Sequence, residues 1–243
     1  MYQHRSMFSR VSKRNRTGKH SKTKSGIYIK LIIQPVEEKA MIKNIKIENI
    51  YCVGRNFEGH AKELGNKVPT SPLIFQKSNS TINTKEKIEI PKNQTIEHEL
   101  EIVVLIGKDG APKTLKDATA FISGFSLGLD LTDRKLQTDL KTKGLPWFAS
   151  KSFKGSAVVD TNFKPECPQE FYLKVNKKFR QKGNLKDMIF SFEQIVLHLA
   201  KIVDFKSGDI IFTGTPEGVG PLVNGDQVEM GFVSHAPKNL VVI

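Results

Sequence analysis

Titratable residues open an apolar segment of this sequence, with Glu97, His98 and Glu99 in a row and a further carboxylate at Glu101. In a strand formed by "IEHELEIVVLIG", successive side chains point to opposite faces, so Glu99 and Glu101 share one face. Two carboxylates that close repel each other unless one is protonated or a cation lies between them. A hard divalent cation with oxygen ligands removes this repulsion. Taken alone, the pair is more typical of an exposed strand end with solvated charges, so a metal site needs support from elsewhere in the chain.

Asp130 is a third carboxylate in a position suited to the same site. It follows the apolar, strand-like segment "SLGL" and precedes a predicted helix start at Thr132 or Asp133. Strand ends that face a helix N-terminus are where ligands and catalytic groups collect. With Glu99 and Glu101 it would complete an oxygen site for Mg²⁺ or Mn²⁺, with positions open for water and substrate. Taken alone, Asp130 is more typical of a helix N-cap or a turn.

From residue 42 onward the apolar pattern indicates mostly strands, with three helices between them. Strand patterns occur in "IKNIKIENIYCVG", "PLIFQK" and "KIEIPKN". The first helix is predicted from Phe57 to Leu64, with Gly65 as its C-cap. The second runs through "RKLQTDLKTK" and stops at Gly144, shortly before Pro146. Glycines that recur after residue 207 separate short segments, which indicates a tightly turned β architecture.

The third predicted helix, "SFEQIVLHLAKIV", begins with a capping box formed by Ser191 and Gln194. One apolar stripe follows the helical period and contains Phe192, Ile195, Val196, Leu199, Ile202 and Val203. His198 lies at the margin of that stripe, so we interpret it as a structural or exposed histidine and not as a ligand.

The composition is that of a protein with a sizeable core and no membrane span. The chain has 243 residues, of which 38% are hydrophobic, enough for one large domain or a domain plus a tail. No apolar run approaches the roughly 20 residues that a membrane helix needs. Cys52 and Cys167 lie far apart and match no metal or redox spacing. Both are predicted to be reduced thiols, which favours an intracellular compartment.

Residues 1–40 are predicted to form a basic, disordered tail, and residues 41–243 a single domain. The tail holds ten Lys and Arg and two Glu, and so contributes +8 to the net charge of +13. Three interpretations stay open: an arm for nucleic acid or another anionic surface, an organellar transit segment, or upstream sequence before a true start at Met41. The predicted location is cytoplasmic, or mitochondrial if the tail is a transit segment. The body lacks interleaved basic and aromatic residues, which argues against nucleic-acid binding.

Four ordered blocks of the sequence together resemble one protein family. They are "CVGRNFEGHAKELGNKVPTSPLIFQK", "HELEIVVLIGK", "GLDLTDRKLQTDLKTKGLPWFASKSF" and "GDIIFTGTPEGVGP". In this order they resemble the fumarylacetoacetate hydrolase family, most closely its small single-domain acylpyruvate hydrolases, over roughly residues 45 to 230. The resemblance implies an α+β, mostly β fold: a mixed β-roll or barrel of the family's C-terminal-domain type with peripheral helices. It also implies a homodimer.

The same resemblance implies roles for individual residues. Metal ligation is implied for Glu99, Glu101 and Asp130, catalysis for His60, Glu63 and Lys151, and substrate contacts for Arg55, Lys77, Arg134, Gln137 and Thr215. His60 and Glu63 share a helix face at i and i+3, so the carboxylate can orient the imidazole. Outside this context such a pair is usually solvated, Lys151 would be a surface lysine, and "TGTPEGVG" a plain turn. That segment lacks the Gly-Lys-Ser/Thr ending of a phosphate-binding loop.

The implied reaction is metal-dependent hydrolysis of the carbon–carbon bond in a small 2,4-dioxo acid, such as acetylpyruvate or fumarylpyruvate. A divalent cation would stabilise the developing enolate, and His60 would take a proton from the attacking water. Relatives on the same scaffold decarboxylate oxaloacetate, isomerise its enol, or isomerise and hydrate unsaturated 2-oxo acids. These alternatives share the metal site, so the site does not separate them. The pair His60 and Glu63 favours hydrolysis.

Two positions and the C-terminal segment depart from the family pattern. Lys135 stands where many relatives carry an acid, and Ser78 where proline is common. The C-terminal segment "GFVSHAPKNLVVI" does not continue as the usual closing pair of strands. We therefore expect a shortened or replaced last strand and a less stable sheet edge after Phe232.

Overall fold

The computed structural model of this chain describes residues 46–63, 65 and 68–243. These residues belong to one compact unit, Glu38–Ile243. The predictions for the basic tail of residues 1–40 and for a start at Met41 lie outside the described residues.

Within these ranges the chain folds into five α-helices and fifteen strands, with short 3₁₀ turns at Asn79–Thr81 and Leu185–Asp187. The helices are α1 (Glu58–Glu63), α2 (Leu115–Phe121), α3 (Arg134–Thr142), α4 (Phe148–Lys151) and α5 (Phe192–Leu199). The strands are β1 (Ile50–Gly54), β2 (Leu73–Lys77), β3 (Ile82–Asn83), β4 (Lys87–Ile88), β5 (Ile96–His98), β6 (Leu100–Ile106), β7 (Ile122–Asp130), β8 (Thr132–Asp133), β9 (Ala157–Val159), β10 (Glu170–Val175), β11 (Lys178–Asn184), β12 (Ile210–Phe212), β13 (Gly220–Pro221), β14 (Gln227–Phe232) and β15 (Lys238–Val242).

The largest sheet has seven strands in the order β2-β1-β12-β6-β7-β9-β3. Strand β6 pairs antiparallel with both β12 and β7, and every one of its residues is buried. Its side chains belong to apolar clusters on both faces of the sheet: Leu100 and Ile102 in one, Val103 and Leu105 in a second, and Val104 and Ile106 in a third. Burial on both faces explains why this strand is apolar almost throughout.

Helices α2 and α5 pack together over the cluster that contains Val104 and Ile106. The predicted capping box of α5 is confirmed, since Ser191 and Gln194 satisfy each other's backbone N–H groups. The sequence prediction did not include α2, although Thr114 and Asp117 form an equivalent capping box at its start. Both helices therefore begin at a local hydrogen-bonding signal and are held by apolar contacts.

The predicted bounds of the other helices hold within one or two residues. Helix α1 ends at Glu63, and Gly65 adopts the left-handed φ of +63° expected of a C-cap. Helix α3 has Asp133 as its N-cap, and Gly144 adopts φ of +66° just beyond its end. The prediction was wrong at the end of α5, where the helix stops at Leu199. Beyond that point the chain leaves the helical period, so Ile202 is 62% exposed instead of joining the apolar stripe.

A second sheet has five strands in the order β11-β10-β14-β15-β4. The expectation that the C-terminal segment does not continue as a closing pair of strands is wrong, because β14 and β15 form an antiparallel hairpin. Strand β15 also pairs in parallel with β4, so it is an internal strand of its sheet. Leu240 and Val242 of β15 are buried in the same cluster as Phe232. The last strand thus contributes directly to the core.

A small third sheet, β13-β5-β8, joins segments that are distant in the sequence. Strand β5 pairs with β8 so that Glu97 lies opposite Thr132, and it pairs with β13 so that His98 lies opposite Gly220. This sheet brings the carboxylate-rich segment to the start of α3. The α+β, mostly β architecture that the resemblance implied, with peripheral helices, is confirmed. No helix in the described residues is long and apolar enough to cross a membrane.

Candidate active site

The three predicted metal-binding carboxylates meet where β6 begins and β7 ends. Glu99 lies between β5 and β6, Glu101 lies in β6, and Asp130 is the last residue of β7. The backbone N–H of Asp130 donates to the carbonyl of Glu99 at 2.9 Å, which sets the two residues side by side. One carboxylate oxygen from each residue lies within 4.8 Å of the others. All three side chains are buried, with exposures of 5%, 2% and 0%.

Three basic side chains neutralise part of this cluster. Lys151 Nζ donates to Glu99 Oε2 at 2.9 Å and to Asp130 Oδ2 at 2.7 Å. Lys77 Nζ lies 2.7 Å from Asp130 Oδ1, and Arg134 Nη2 pairs with Glu99 Oε1. Burial alone would lower the pKa of Lys151, but Asp130 and Glu99 outweigh it and hold that pKa above its ordinary value. Lys151 is therefore a fixed positive charge in this site.

Glu99 and Glu101 differ in their electrostatic surroundings. Burial raises the pKa of Glu99, but Lys151 and Arg134 outweigh it, so the carboxyl pKa lies below its ordinary value. Burial, Asp130 and Glu99 together hold the pKa of Glu101 well above its ordinary value. Glu101 accepts a hydrogen bond from the Gly214 N–H at 2.7 Å and has no ion pair among the described residues. It is the carboxylate whose charge the protein leaves uncompensated.

A divalent cation fits this donor set. Three buried carboxylates with hard oxygen atoms match the ligand chemistry of Mg²⁺ and Mn²⁺. Asp130 Oδ1 accepts no hydrogen bond, because Lys77 Nζ donates to the carbonyls of Leu131 and Lys151 and contacts this oxygen only as an ion pair. Glu101 is buried without an ion pair among the described residues, and a buried carboxylate of this kind is costly unless a cation binds it. Glu99, Glu101 and Asp130 are thus the residues available to hold a metal ion.

His60, the histidine of the predicted histidine–glutamate pair, lines the same cavity as Glu99 and Glu101. His60 Nδ1 is 3.2 Å from Glu63 Oε2, and the His60 side chain is almost fully buried. Glu63 also accepts a hydrogen bond from the Gly218 N–H at 3.2 Å, so the loop after β12 holds helix α1 in position. The predicted spacing of one helical turn therefore produces a real contact and not a solvated pair.

One cavity collects most of the predicted site residues. Its walls include Arg55, His60, Glu99, Glu101, Arg134, Gln137, Lys151 and Thr215 from that set, and also Phe75, Lys141 and Trp147. Lys77 was expected to contact substrate, but its side chain is 0% exposed and lies beneath the carboxylates. Asp130 is equally buried, and Glu63 contacts the cavity through His60. Lys77 is thus positioned to support Asp130.

Two further sets of residues were not predicted. Thr132 donates to Glu99 Oε1 at 3.0 Å and accepts from Lys151 at 2.6 Å, so it links the two. Lys141 lines the cavity from α3, where it shares one helical face with Arg134 and Gln137 at i, i+3 and i+7. That spacing was a signal in the sequence that, once the helix was assigned, would have identified Lys141.

Gln181 connects the start of β6 to the loop after β12. Its Oε1 atom accepts from the Leu100 N–H at 3.0 Å and lies 2.9 Å from His98 Nδ1. Its Nε2 atom donates to Thr215 Oγ1 at 2.7 Å and to the Pro216 carbonyl at 2.9 Å. Burial lowers the pKa of His98, and the bond to Gln181 opposes that shift. A neutral His98 is therefore part of the support beneath Thr215, not a ligand of the cavity.

Comparison with known proteins agrees with this fold. Residues 49–239 match the family model described as fumarylacetoacetate (FAA) hydrolase C-terminal, and the chain belongs to this family. It is 40% identical over 189 residues to oxaloacetate tautomerase FAHD1, mitochondrial, of Arabidopsis thaliana, across 75% of this chain and 85% of the relative. It is 38% identical over 190 residues to oxaloacetate decarboxylase, mitochondrial, of Dictyostelium discoideum, across 75% of this chain and 87% of the relative.

Solved structures with a similar fold carry two kinds of activity in their descriptions. Fumarylpyruvate hydrolase from Pseudomonas aeruginosa, in complex with Mn²⁺ and pyruvate, superposes with a TM-score of 0.77 at 29% identity, covering 82% of this chain and 91% of that one. The 5-carboxymethyl-2-hydroxymuconate delta-isomerase from Mycobacterium smegmatis superposes with a TM-score of 0.70 at 26% identity, covering 82% and 80%. Proteins with this fold thus include both a hydrolase and an isomerase.

Proposed function

We propose that this protein is a divalent-metal-dependent oxaloacetate tautomerase, which interconverts the enol and keto forms of a small 2-oxo acid. The observation that carries the proposal is the cavity shared by the carboxylate cluster Glu99, Glu101 and Asp130 and the pair His60 and Glu63. Curated relatives at 37–40% identity are described as oxaloacetate tautomerases. Tautomerisation moves one proton from C3 of the substrate and adds one at the C2 oxygen, so it needs no co-reactant.

Each residue has a role that follows from its contacts. When bound, a Mg²⁺ or Mn²⁺ ion would supply positive charge for the oxygens of the 2-oxo acid. His60 takes the proton from C3 or returns it, and Glu63 orients the imidazole and stabilises its charged form. Lys151 is held by Glu99 and Asp130, so its charge stays beside the substrate oxygens. Thr215 and Gln137 are polar contacts for the substrate on the cavity wall.

Hydrolysis of acylpyruvates, the reaction favoured by the sequence, is the second candidate. It is supported by the similarity to the Mn²⁺- and pyruvate-containing fumarylpyruvate hydrolase. In this reaction His60 would take the proton from a water molecule that attacks the C4 carbonyl. Decarboxylation of oxaloacetate, the activity in the name of the Dictyostelium relative, uses the same cavity and is a further product to monitor.

Location and assembly are proposals of the same kind. The mitochondrial names of the curated relatives favour the transit-segment interpretation of residues 1–40 over a cytoplasmic location. The homodimer implied by family resemblance stays a prediction. Light scattering of the full-length protein measures its mass directly, and a monomer at micromolar concentration would contradict that prediction.

The proposed reaction is tested by following the enol absorbance of oxaloacetate with the full-length protein, first with Mn²⁺ or Mg²⁺ and then with excess EDTA. Buffer with metal but no protein gives the spontaneous rate. Parallel assays with acetylpyruvate and fumarylpyruvate, and measurement of released pyruvate, detect hydrolysis or decarboxylation. Metal-dependent loss of the enol without pyruvate release supports the tautomerase. Faster pyruvate release from an acylpyruvate would replace it with the hydrolase.

Substitution of His60 tests the assignment of the proton-transfer group. His60→Gln is expected to lower the rate by about 10²- to 10⁴-fold, the usual contribution of a general acid or base. Bound Mn²⁺ should remain, because the three carboxylates are unchanged. His235→Gln is the matched control, since His235 is exposed and is not among the residues that line the cavity. A His60→Gln variant as active as the control would remove His60 from the mechanism.

A further inference from the structure

The positive charges around the cavity fall into two groups. Lys77, Lys151 and Arg134 are each within ion-pair distance of a carboxylate of the cluster, and Arg134 Nε also donates to Glu97 Oε2 at 2.8 Å. Those three cations, Glu97, the three cluster carboxylates and one divalent cation sum to a single positive charge. One carboxylate of a substrate is enough to cancel that charge.

Arg55 and Lys141 form the second group. Both line the same cavity, and neither has an anionic partner among the described residues. Arg55 adopts a φ of +60°, a left-handed conformation that is unfavourable for a residue with a Cβ atom. Such strain is concentrated at ligand sites, where the surrounding structure maintains it. Lys141 Nζ lies 4.6 Å from the ring centroid of Trp147, which positions the ammonium by a cation–π contact.

Around Lys141, positive charges outweigh the one nearby carboxylate that acts on its ammonium, Glu99. Partial burial, followed by the positive charges of Arg134, Arg55 and Lys151, lowers the pKa of Lys141 to about 8, and Glu99 opposes this shift only in part. An isolated surface lysine would have no such crowding, and an anion between Arg55 and Lys141 would relieve it. The geometry also favours an anion here, since Arg55 and Lys141 both line one cavity and have no anionic partner among the described residues.

We propose that Arg55 and Lys141 form a second anion subsite, which holds the distal carboxylate of a dicarboxylic 2-oxo acid. This inference rests on the proposed function, in which the first carboxylate lies beside the metal-binding cluster. It assigns Lys141 as a specificity-determining residue that selects substrates with two carboxylates. Acylpyruvates with a single carboxylate, such as acetylpyruvate, leave the subsite empty and bind more weakly.

The test compares two ligands that differ in one carboxylate and that cannot undergo the proposed cleavage reactions. 2-Oxoglutarate and 2-oxopentanoate have the same five-carbon chain, but only the first is a dicarboxylic acid. Their dissociation constants are measured by calorimetry on the full-length, Mn²⁺-loaded protein. A charge-assisted contact predicts that the wild type binds 2-oxoglutarate at least about tenfold more tightly. Equal affinities, or no binding of the diacid, would overturn the proposal.

Variants of α3 identify the residue responsible. Lys141→Met removes the charge but keeps the approximate length of the side chain. It should weaken the binding of 2-oxoglutarate by about tenfold and leave the affinity for 2-oxopentanoate unchanged. Lys141→Arg should restore the preference. Lys135→Met is the matched control, because Lys135 is an exposed lysine of the same helix outside the cavity lining. A preference that persists in Lys141→Met would exclude Lys141 from the subsite.

Binding and turnover separate this inference from the proposed function. A wild-type preference for the diacid that depends on Lys141 supports the subsite even if oxaloacetate enol is not turned over. Enol turnover with equal affinity for the two acids supports the tautomerase and refutes the subsite.

Discussion

Glu101 is the carboxylate of this site whose negative charge is least compensated by its surroundings. Its neighbours Glu99 and Asp130 are paired with lysine and arginine side chains, whereas Glu101 has only the N–H of Gly214. Burial and the two neighbouring carboxylates hold its pKa well above the ordinary value. In the metal-free protein its ionised form therefore opposes folding, and a bound cation reverses this effect. The carboxylate oxygens of Glu101 therefore destabilise the metal-free protein and also favour the binding of a metal ion.

We therefore expect Glu101→Gln to stabilise the metal-free protein and to abolish metal binding. Removing the uncompensated charge should contribute about 1–3 kcal/mol at pH 7, which raises the melting temperature by roughly 2–10 °C. The increase in melting temperature that Mn²⁺ gives the wild type should disappear. Thermal unfolding with Mn²⁺ and with EDTA measures both effects.

The pH dependence gives the same prediction an independent check. Because folding raises the pKa of Glu101, the native state binds more protons, and the metal-free wild type loses stability as pH rises. The advantage of Glu101→Gln should thus shrink below about pH 4, where the wild-type carboxyl is protonated in both states. Glu89→Gln, at an exposed carboxylate, serves as the control. A variant that is less stable than the wild type at pH 7 would contradict this account.

Individual site residues were predictable only where their signal was local. The spacing of Glu99 and Glu101 predicted that the two carboxylates share one face of a strand, whereas their role as metal ligands came from the family resemblance. Lys77 was expected to contact the substrate, and its burial was not foreseen. The residues that bury it, Leu131 and Lys151, are 54 and 74 residues away in the sequence, so no local pattern indicates these contacts. Gln181 was missed for the same reason, since its contact with Leu100 spans 81 residues.

At the scale of elements, the position of His60 depends on the contact between α1 and the loop that follows β12. Gly218 donates its N–H to Glu63, and its φ is +93°. A Cβ atom at this position would lie 2.0 Å from the backbone carbonyl oxygen of Arg180. Because that oxygen belongs to strand β11, the loop must move instead. The loop therefore cannot accept a side chain at Gly218 and keep its bond to Glu63.

Gly218→Ala should consequently lower activity without removing the metal. A loop shift of about 1 Å that displaces Glu63 and His60 is expected to reduce kcat by roughly tenfold to a hundredfold. Gly225→Ala is a matched control, since Gly225 has φ of +92° and open space around its Cβ position. Both variants carry the backbone cost of a left-handed alanine, but only Gly218→Ala moves the loop. Equal kcat values for the two variants would show that the loop does not position α1.

The elements themselves were predictable where periodicity and caps coincide. The start of α5 at Ser191 followed from a capping box, and α3 ended before a glycine as expected. Helix α2 was missed, although Thr114 and Asp117 carry the same capping signal, because its apolar contacts with α5 are tertiary. Ile202 fits the apolar period predicted for α5, but the helix ends at Leu199 and the Ile202 side chain is exposed. Local sequence patterns thus predicted where helices begin, but not which helices pack against each other.

For the whole molecule, the C-terminal hairpin shows what local patterns omit. The segment "KNLVV" is short and follows an irregular turn, so the sequence indicated a weakened edge. Its parallel partner β4 lies about 150 residues earlier, where Val242 aligns with Ile88. Backbone bonds extend this pairing to the end of the chain, since Ile243 N–H donates to the Ile88 carbonyl at 2.9 Å. Strand β15, which was expected to be a weak edge, therefore pairs with both β14 and β4.

A chain that ends at Phe232 should lose cooperative folding. It lacks β15, exposes the apolar face of β14, and leaves β4 without the strand that joins it to the sheet. Leu240→Ala tests the same contribution without truncation and should cost about 2–5 kcal/mol, because Leu240 is 2% exposed. Asn239→Ala, at the exposed neighbouring position, should leave stability within about 0.5 kcal/mol. Urea unfolding followed by circular dichroism measures these differences. If the truncated chain unfolded with the wild-type midpoint and slope, β15 would be dispensable and its burial would contribute nothing to stability.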